Sequence, residues 1–126
     1  MQMQRFLDAY GDVRNGADFM VRHPLVRHFL YSSGVQECAE AGLYWLLDVI
    51  GTEGVDYMRK RVHESNFMII YFDVKDSKAT IKGAMSDSDP TEWMSEVAWT
   101  DCEDGNWTFY MQYDGQKYAL ILPSEY

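Results

Sequence analysis

Apolar residues change their spacing once along this 126-residue chain, at Ser65 and Asn66. Upstream, Val35, Cys38, Ala39, Gly42, Trp45, Leu46, Val49 and Ile50 recur every three or four residues and so line one face of a helix. Downstream the period is two. Residues 67–74 are β-rich and apolar on both faces, as a central strand requires, and residues 78–85 alternate Ala79, Ile81 and Gly83 against Thr80, Lys82 and Ala84. Two periods segregated along the chain, with no linker, repeat or low-complexity tract between them, predict one α+β domain over residues 1–126.

The main helix is expected over residues 34–50, with Ser33 and Gln36 as a capping box and Gly51 as its left-handed end. Gly42 inside the stripe costs about 1 kcal/mol relative to alanine, which points to another element packed closely there. Residues 3–10 read as one or two amphipathic turns that stop at Gly11. Pro24 splits residues 19–31, which read as irregular with a short helix or turn. Val55, Met58 and Val62 mark a second helix ending near Glu64. Residues 93–99, 107–113 and 116–122 bring the strands to five, the last two joined by Asp114 and Gly115 as a type I′ turn. The expected architecture is an antiparallel meander of about five strands, with the N-terminal helices on one face and Trp45 in the core.

The net charge of −9 sets this protein against phosphate backbones and anionic leaflets, so nucleic acid and membrane are not expected as direct partners. A protein with a basic surface, such as a nucleic-acid-binding effector complex, is the complementary partner. No apolar run has the length of a signal peptide or of a membrane span, so the expected location is the cytoplasm of a bacterial host cell. In that compartment Cys38 and Cys102 are expected as reduced thiols, with Cys38 on the apolar stripe acting as a small hydrophobe.

Five stretches carry a resemblance. Arg22-His23-Pro24-Leu25, then Tyr31-Ser32-Ser33-Gly34-Val35, then the run from Ala39 through Tyr44-Trp45-Leu46-Leu47-Asp48 to Ile50 is similar to the N-terminal half of an uncharacterised family of small bacterial and phage proteins, a domain of unknown function. At the other end, Trp99-Thr100-Asp101-Cys102 before a hairpin and the terminal Leu122-Pro123-Ser124-Glu125-Tyr126 resemble the same family. The resemblance implies a small α+β fold and a frequent association with phages and mobile elements, and it implies no activity.

Among chemistry-bearing residues, Arg22, His23 and His28 are the first to consider as a catalytic or metal site. No Cys pair or His-Glu helix motif accompanies them, so neither a metal, a cofactor nor a catalytic dyad is expected; Arg22 and His23 are read as donors that hold the Pro24 turn. Tyr44-Trp45-Leu46-Leu47 reads as core packing. The terminal Tyr126 is read as folding its ring back onto the sheet, against the alternative that Glu125 adds charge for a partner.

The sharpest local feature is acidic. Asp87, Asp89, Glu92, Glu96, Asp101, Glu103 and Asp104 follow one another with no Lys or Arg between them, interleaved with Trp93, Trp99 and Trp107. Collected like charges repel, which argues for a use beyond structure: a face that imitates a row of phosphates, with Asp87, Asp89, Glu92, Trp93, Glu96, Asp101, Glu103 and Asp104 as its contact residues. The bland alternative is a solvated edge that keeps the sheet from pairing with itself.

Three function classes follow. The first is a non-enzymatic acidic binding protein, of the kind a phage or mobile element uses to block a host defence complex such as a CRISPR effector. The second is a small hydrolase or ligand-binding enzyme using His23, Tyr31 and a nearby carboxylate. The third is a bacterial housekeeping interaction module. The first uses the whole charge asymmetry, whereas the second rests on one His with no recognisable nucleophile.

Overall fold

The apolar stripe of residues 34–50 folds as two short helices, not one, in the computed structural model, which describes residues 1–14, 16–61, 65–86 and 91–126. Helix α1 spans Met3–Gly11, followed by short strands β1 (Met20–Arg22) and β2 (Phe29–Ser32), then α2 (Ser33–Glu40) and α3 (Tyr44–Val49). The break is Gly42, held at a φ of 121°, a conformation that an L side chain opposes. A Cβ on Gly42 would stand 3.3 Å from Met1 Cα, so the close packing expected at this glycine comes from the N-terminal residues. Gln2 N–H fixes the approach by donating to the Ala41 carbonyl at 2.7 Å.

The ends of these helices also differ from expectation. The N-cap of α2 is Ser32, whose hydroxyl accepts from Val35 N–H at 3.1 Å, in place of a Ser33–Gln36 box. Gly51 ends nothing: it lies in a π turn, Ile50–Gly54, that runs on into α4 (Val55–Arg61). Without a side chain it admits the Phe29 ring, which lies 2.7 Å from where a Cβ would be. The expected helix end at Val62 and Glu64 falls outside the described residues.

The five predicted strands form as β3 (Phe67–Lys75), β4 (Lys78–Ala84), β5 (Trp93–Val97), β6 (Gly105–Tyr113) and β7 (Tyr118–Ile121), with a 3₁₀ turn, Pro123–Glu125, after them. They do not make a five-strand meander. The sheet has seven strands in the order β1-β2-β7-β6-β3-β4-β5, because the segment read as irregular supplies β1 and β2. It is mixed, since β2 runs parallel to β7 while every other pair is antiparallel. Strand β6 pairs on the far side of β3 from β4, so the chain after β5 must cross the end of the β3–β4 hairpin. That crossing makes β3 the central strand its apolar faces announced.

Turn chemistry is placed differently too. Asp76 and Ser77, both at positive φ, are the two-residue type I′ turn, joining β3 to β4. Asp114 instead starts a four-residue loop in which only Gly115 has positive φ, and its carboxylate accepts from Gln116 and Lys117 N–H. Those two hydrogen bonds, first Lys117 and then Gln116, hold the Asp114 carboxyl below its ordinary pKa.

Side chains from all four helices, Phe6, Val35, Leu46 and Met58 among them, share one buried core with Met68, Ile70 and Phe72 of β3 and Trp107, Phe109 and Met111 of β6. Trp107 meets Phe6 edge-on at 5.1 Å, and the half-buried Trp45 meets Phe72 at 5.8 Å. Helix α1 does more than cover: β7 is shorter than β6, and where it stops short, the Tyr10 hydroxyl accepts from Thr108 N–H at 3.0 Å. Residues alternating with the core set point to the other face of the sheet. There Tyr126 meets Phe67 and Tyr110 edge to face, those two rings being tilted to each other, beside Ile69, Ala84 and Ile121, which are buried apart from the main core. Tyr126 thus folds back onto the sheet, but on the face away from the core.

Candidate functional site

His23 follows β1 and is 5% exposed. Leu25 N–H and Val26 N–H both donate to its Nδ1 at 3.1 Å, which makes Nδ1 an acceptor and leaves the proton on Nε2. Nε2 then donates to Asp48 Oδ1 at 2.8 Å. The ring does hold the Pro24 turn, but mainly by accepting backbone N–H groups rather than donating to them. Asp48, one turn beyond Tyr44 on α3, was not visible as its partner in sequence, because the contact joins segments far apart in the chain. Tyr31, 4% exposed, lies near the pair, and its phenol is pushed above its usual pKa first by burial and then by Tyr44 and Asp48. So the carboxylate that an enzyme reading needs is present, yet both ring nitrogens are already engaged and no face of the imidazole is open. His28 is exposed and takes no part. Among the described residues no three His, Cys, Asp or Glu side chains gather as a metal site.

Glu125 is turned inward. It is 6% exposed, its carboxylate accepts from the Ser32 hydroxyl and from Leu122 N–H, and its second oxygen accepts from Gly34 N–H at 3.2 Å. It therefore serves the first turn of α2 and is not charge presented to a partner. A Cβ on Gly34 would lie 2.8 Å from Glu125 Oε2, so that glycine is what lets the carboxylate in. Beside it, Cys38 is a free buried thiol raised to about 12, chiefly by burial and then by Glu125.

The predicted contact residues separate into three groups. Asp87 and Asp89 lie outside the described residues. Glu92, Asp101 and Asp104 are engaged: Glu92 pairs with Arg61, Asp101 with the N-terminal amine, and Asp104 accepts from Asp76 N–H at 2.9 Å. The amine's hydrogen bond holds the Asp101 carboxyl below its ordinary range. Glu96 on β5 and Glu103 in the crossing are exposed and make no ion pair among the described residues. The tryptophans also part ways. Trp107 is buried in the core, correcting its reading as an interleaved anchor; Trp93 is half-buried over Gly54 and Gly83; Trp99 stands 68% exposed.

What holds Trp99 out is the crossing after β5. Thr100 N–H donates to the Ser77 carbonyl at 2.8 Å and Cys102 N–H to Thr100 Oγ1 at 3.2 Å. Thr100 and Cys102 are both buried, so the backbone on the C-terminal side of Trp99 is anchored while its indole faces solvent. Cys102 is a second free thiol, raised to about 11 by burial first and by Asp101 and Glu103 next. Sequence reasoning missed Glu53, which reaches β5 from the π turn and accepts from the Ser95 hydroxyl at 3.3 Å. Among the described residues no helix is long and apolar enough to cross a membrane.

The model of a family described as "Family of unknown function (DUF6876)" matches residues 12–126, and the chain belongs to that family. No curated protein matches it. A crystal structure described as that of a protein of unknown function from Enterococcus faecalis is similar to this fold, with a TM-score of 0.58 at 14% identity over 86% of this chain and 98% of that one. At that identity the likeness speaks to the fold alone.

Proposed function

We propose that this member of a family of unknown function is a non-enzymatic acidic binding protein that covers a basic, nucleic-acid-binding surface on another protein. An inhibitor of a host defence complex, carried by a phage or mobile element and anti-CRISPR in kind, is the role that fits this charge. The observation that carries the reading is Trp99: a large aromatic, 68% exposed, next to an anchored backbone and lying in sequence between Glu96 and Glu103, two exposed carboxylates with no ion pair among the described residues. An anchored backbone leaves less freedom to lose on binding, and aromatic anchors dominate interface energetics. Flanking carboxylates add steering toward a basic partner.

The test uses the wild type and a Trp99→Ala/Glu96→Gln/Glu103→Gln variant as baits in host lysate at about 0.1 M and 1 M salt, between which the Debye length falls from about 10 Å to about 3 Å. A basic protein retained by the wild type at low salt, and lost both at high salt and with the variant, is the expected result. The same proteins held by both baits at both salts would overturn the proposal. A second reading, a small hydrolase using His23, draws on the 2.8 Å His23–Asp48 contact. It requires turnover of an ester or amide substrate that disappears with His23→Gln.

A further inference from the structure

The strand that borders this acidic region has, among the described residues, a side that pairs with no other strand. Among the described residues β5 is hydrogen-bonded to β4 alone, and it forms one end of the sheet. Its register is regular, with five consecutive pairs from Gly83↔Trp93 to Ala79↔Val97 and no bulge among them. The sequence Trp93-Met94-Ser95-Glu96-Val97 carries no lysine and no proline, and its one charge, Glu96, is an acid that a basic strand would neutralise. The opposite end of the sheet differs: β1 is three residues long.

The ionisable side chains on β5 and directly against it are acidic, while on the neighbouring β4 Lys82, opposite Met94, is paired with Asp73. On the helix side, Glu53 sits over Ser95; on the other side, Glu96 projects beside an exposed Met94. Side chains of a strand alternate between faces, so a segment laid along β5 would present alternate residues to Glu53 and to Glu96.

We infer that the outer edge of β5 accepts an extended, basic segment of a partner protein as an eighth strand, with main-chain hydrogen bonds giving the affinity and lysine or arginine side chains meeting Glu53 and Glu96. This rests on the proposed function for the sign of the partner and adds the mode of binding. Strand addition at an open edge is an established way for a domain to hold a peptide. Glu53 and Glu96 favour a basic segment over an acidic one.

The experiment uses the full chain and three synthetic octapeptides: alternating Lys-Val, the same peptide N-methylated at alternate residues, and alternating Glu-Val. Amide exchange followed by NMR reads the β5 backbone directly, and titration reads affinity. The Lys-Val peptide is expected to protect amides within Trp93–Val97, with about tenfold weaker binding on N-methylation, which is ~1.4 kcal/mol. The Glu-Val peptide is expected not to bind, and Glu53→Gln/Glu96→Gln is expected to weaken the Lys-Val peptide. Equal binding of the plain and N-methylated basic peptides would overturn strand addition while leaving the acidic binding protein standing. So would a failure of the Lys-Val peptide to bind, or β5 protection that rises with protein concentration in the absence of peptide, which would assign the edge to a second copy.

Discussion

The two ends of the sheet handle polar groups in opposite ways. At the β1–β2 end Arg22 and His28 are exposed, but the buried groups are fully engaged: His23 takes two backbone N–H groups and Asp48, and Glu125 takes Ser32, Gly34 and Leu122. At the β5 end Glu96, Glu103 and Trp99 are left facing water. Both ends carry residues that sequence alone marks as functional, and at the first His23 and Glu125 are taken up by the fold. A buried donor or acceptor that has found its partners is evidence about folding; an exposed one on anchored backbone is evidence about binding.

The largest expected break of this contrast is Glu125→Ala. It strands three buried donors, so unfolding free energy should fall by about 3 kcal/mol in a urea titration. If it fell by no more than a surface substitution does, Glu125 would belong with the outward group after all. Next, His23→Ala leaves Leu25 and Val26 N–H without an acceptor and should cost about 2 kcal/mol. A loss of that size together with unchanged partner binding is the outcome that separates the two ends.

The thiols sharpen the comparison through pH. Folded Cys38 is raised to about 12 from an ordinary value of 9.0, so the unfolded chain ionises first. Its contribution to stability is therefore complete below pH 9 and is lost as pH rises from there to about 12. The stability difference between wild type and Cys38→Ala, measured by denaturation at several alkaline pH values, should move steadily in favour of the variant across that window. The smallest effect is expected at the other end: Trp99→Ala and Glu96→Gln should each leave stability within about 0.5 kcal/mol. A loss of several kcal/mol on either change would turn the β5 end into a structural one as well.

The helix stripe, the hairpin β3–β4 and the centrality of β3 were legible because each is written in local spacing. Gly42 was legible as a site of close approach, though not as a break, since its backbone angle depends on Met1 and Gln2 packing beside it. Strands β1 and β2 were illegible: three and four residues around a proline offer no period to detect, and their pairing is settled by Tyr118, Ala119 and Leu120 near the other end of the chain. The acidic run was legible as composition only. Neighbours in sequence face different partners because the chain bends from a strand edge into a crossing, which sends Glu92 to Arg61 and Asp101 to the N-terminal amine.

The parallel pairing of β2 with β7 sets a timetable. During synthesis β2 leaves the ribosome well before β7, the last of the seven strands in sequence, so that ladder cannot close until β7 has been made. Until then Phe29 and Tyr31, both buried when folding is complete, have no neighbouring strand on that side. Completion of this sheet is consequently held back until β7 is available, and until then the apolar edge of β2 is open to wrong partners.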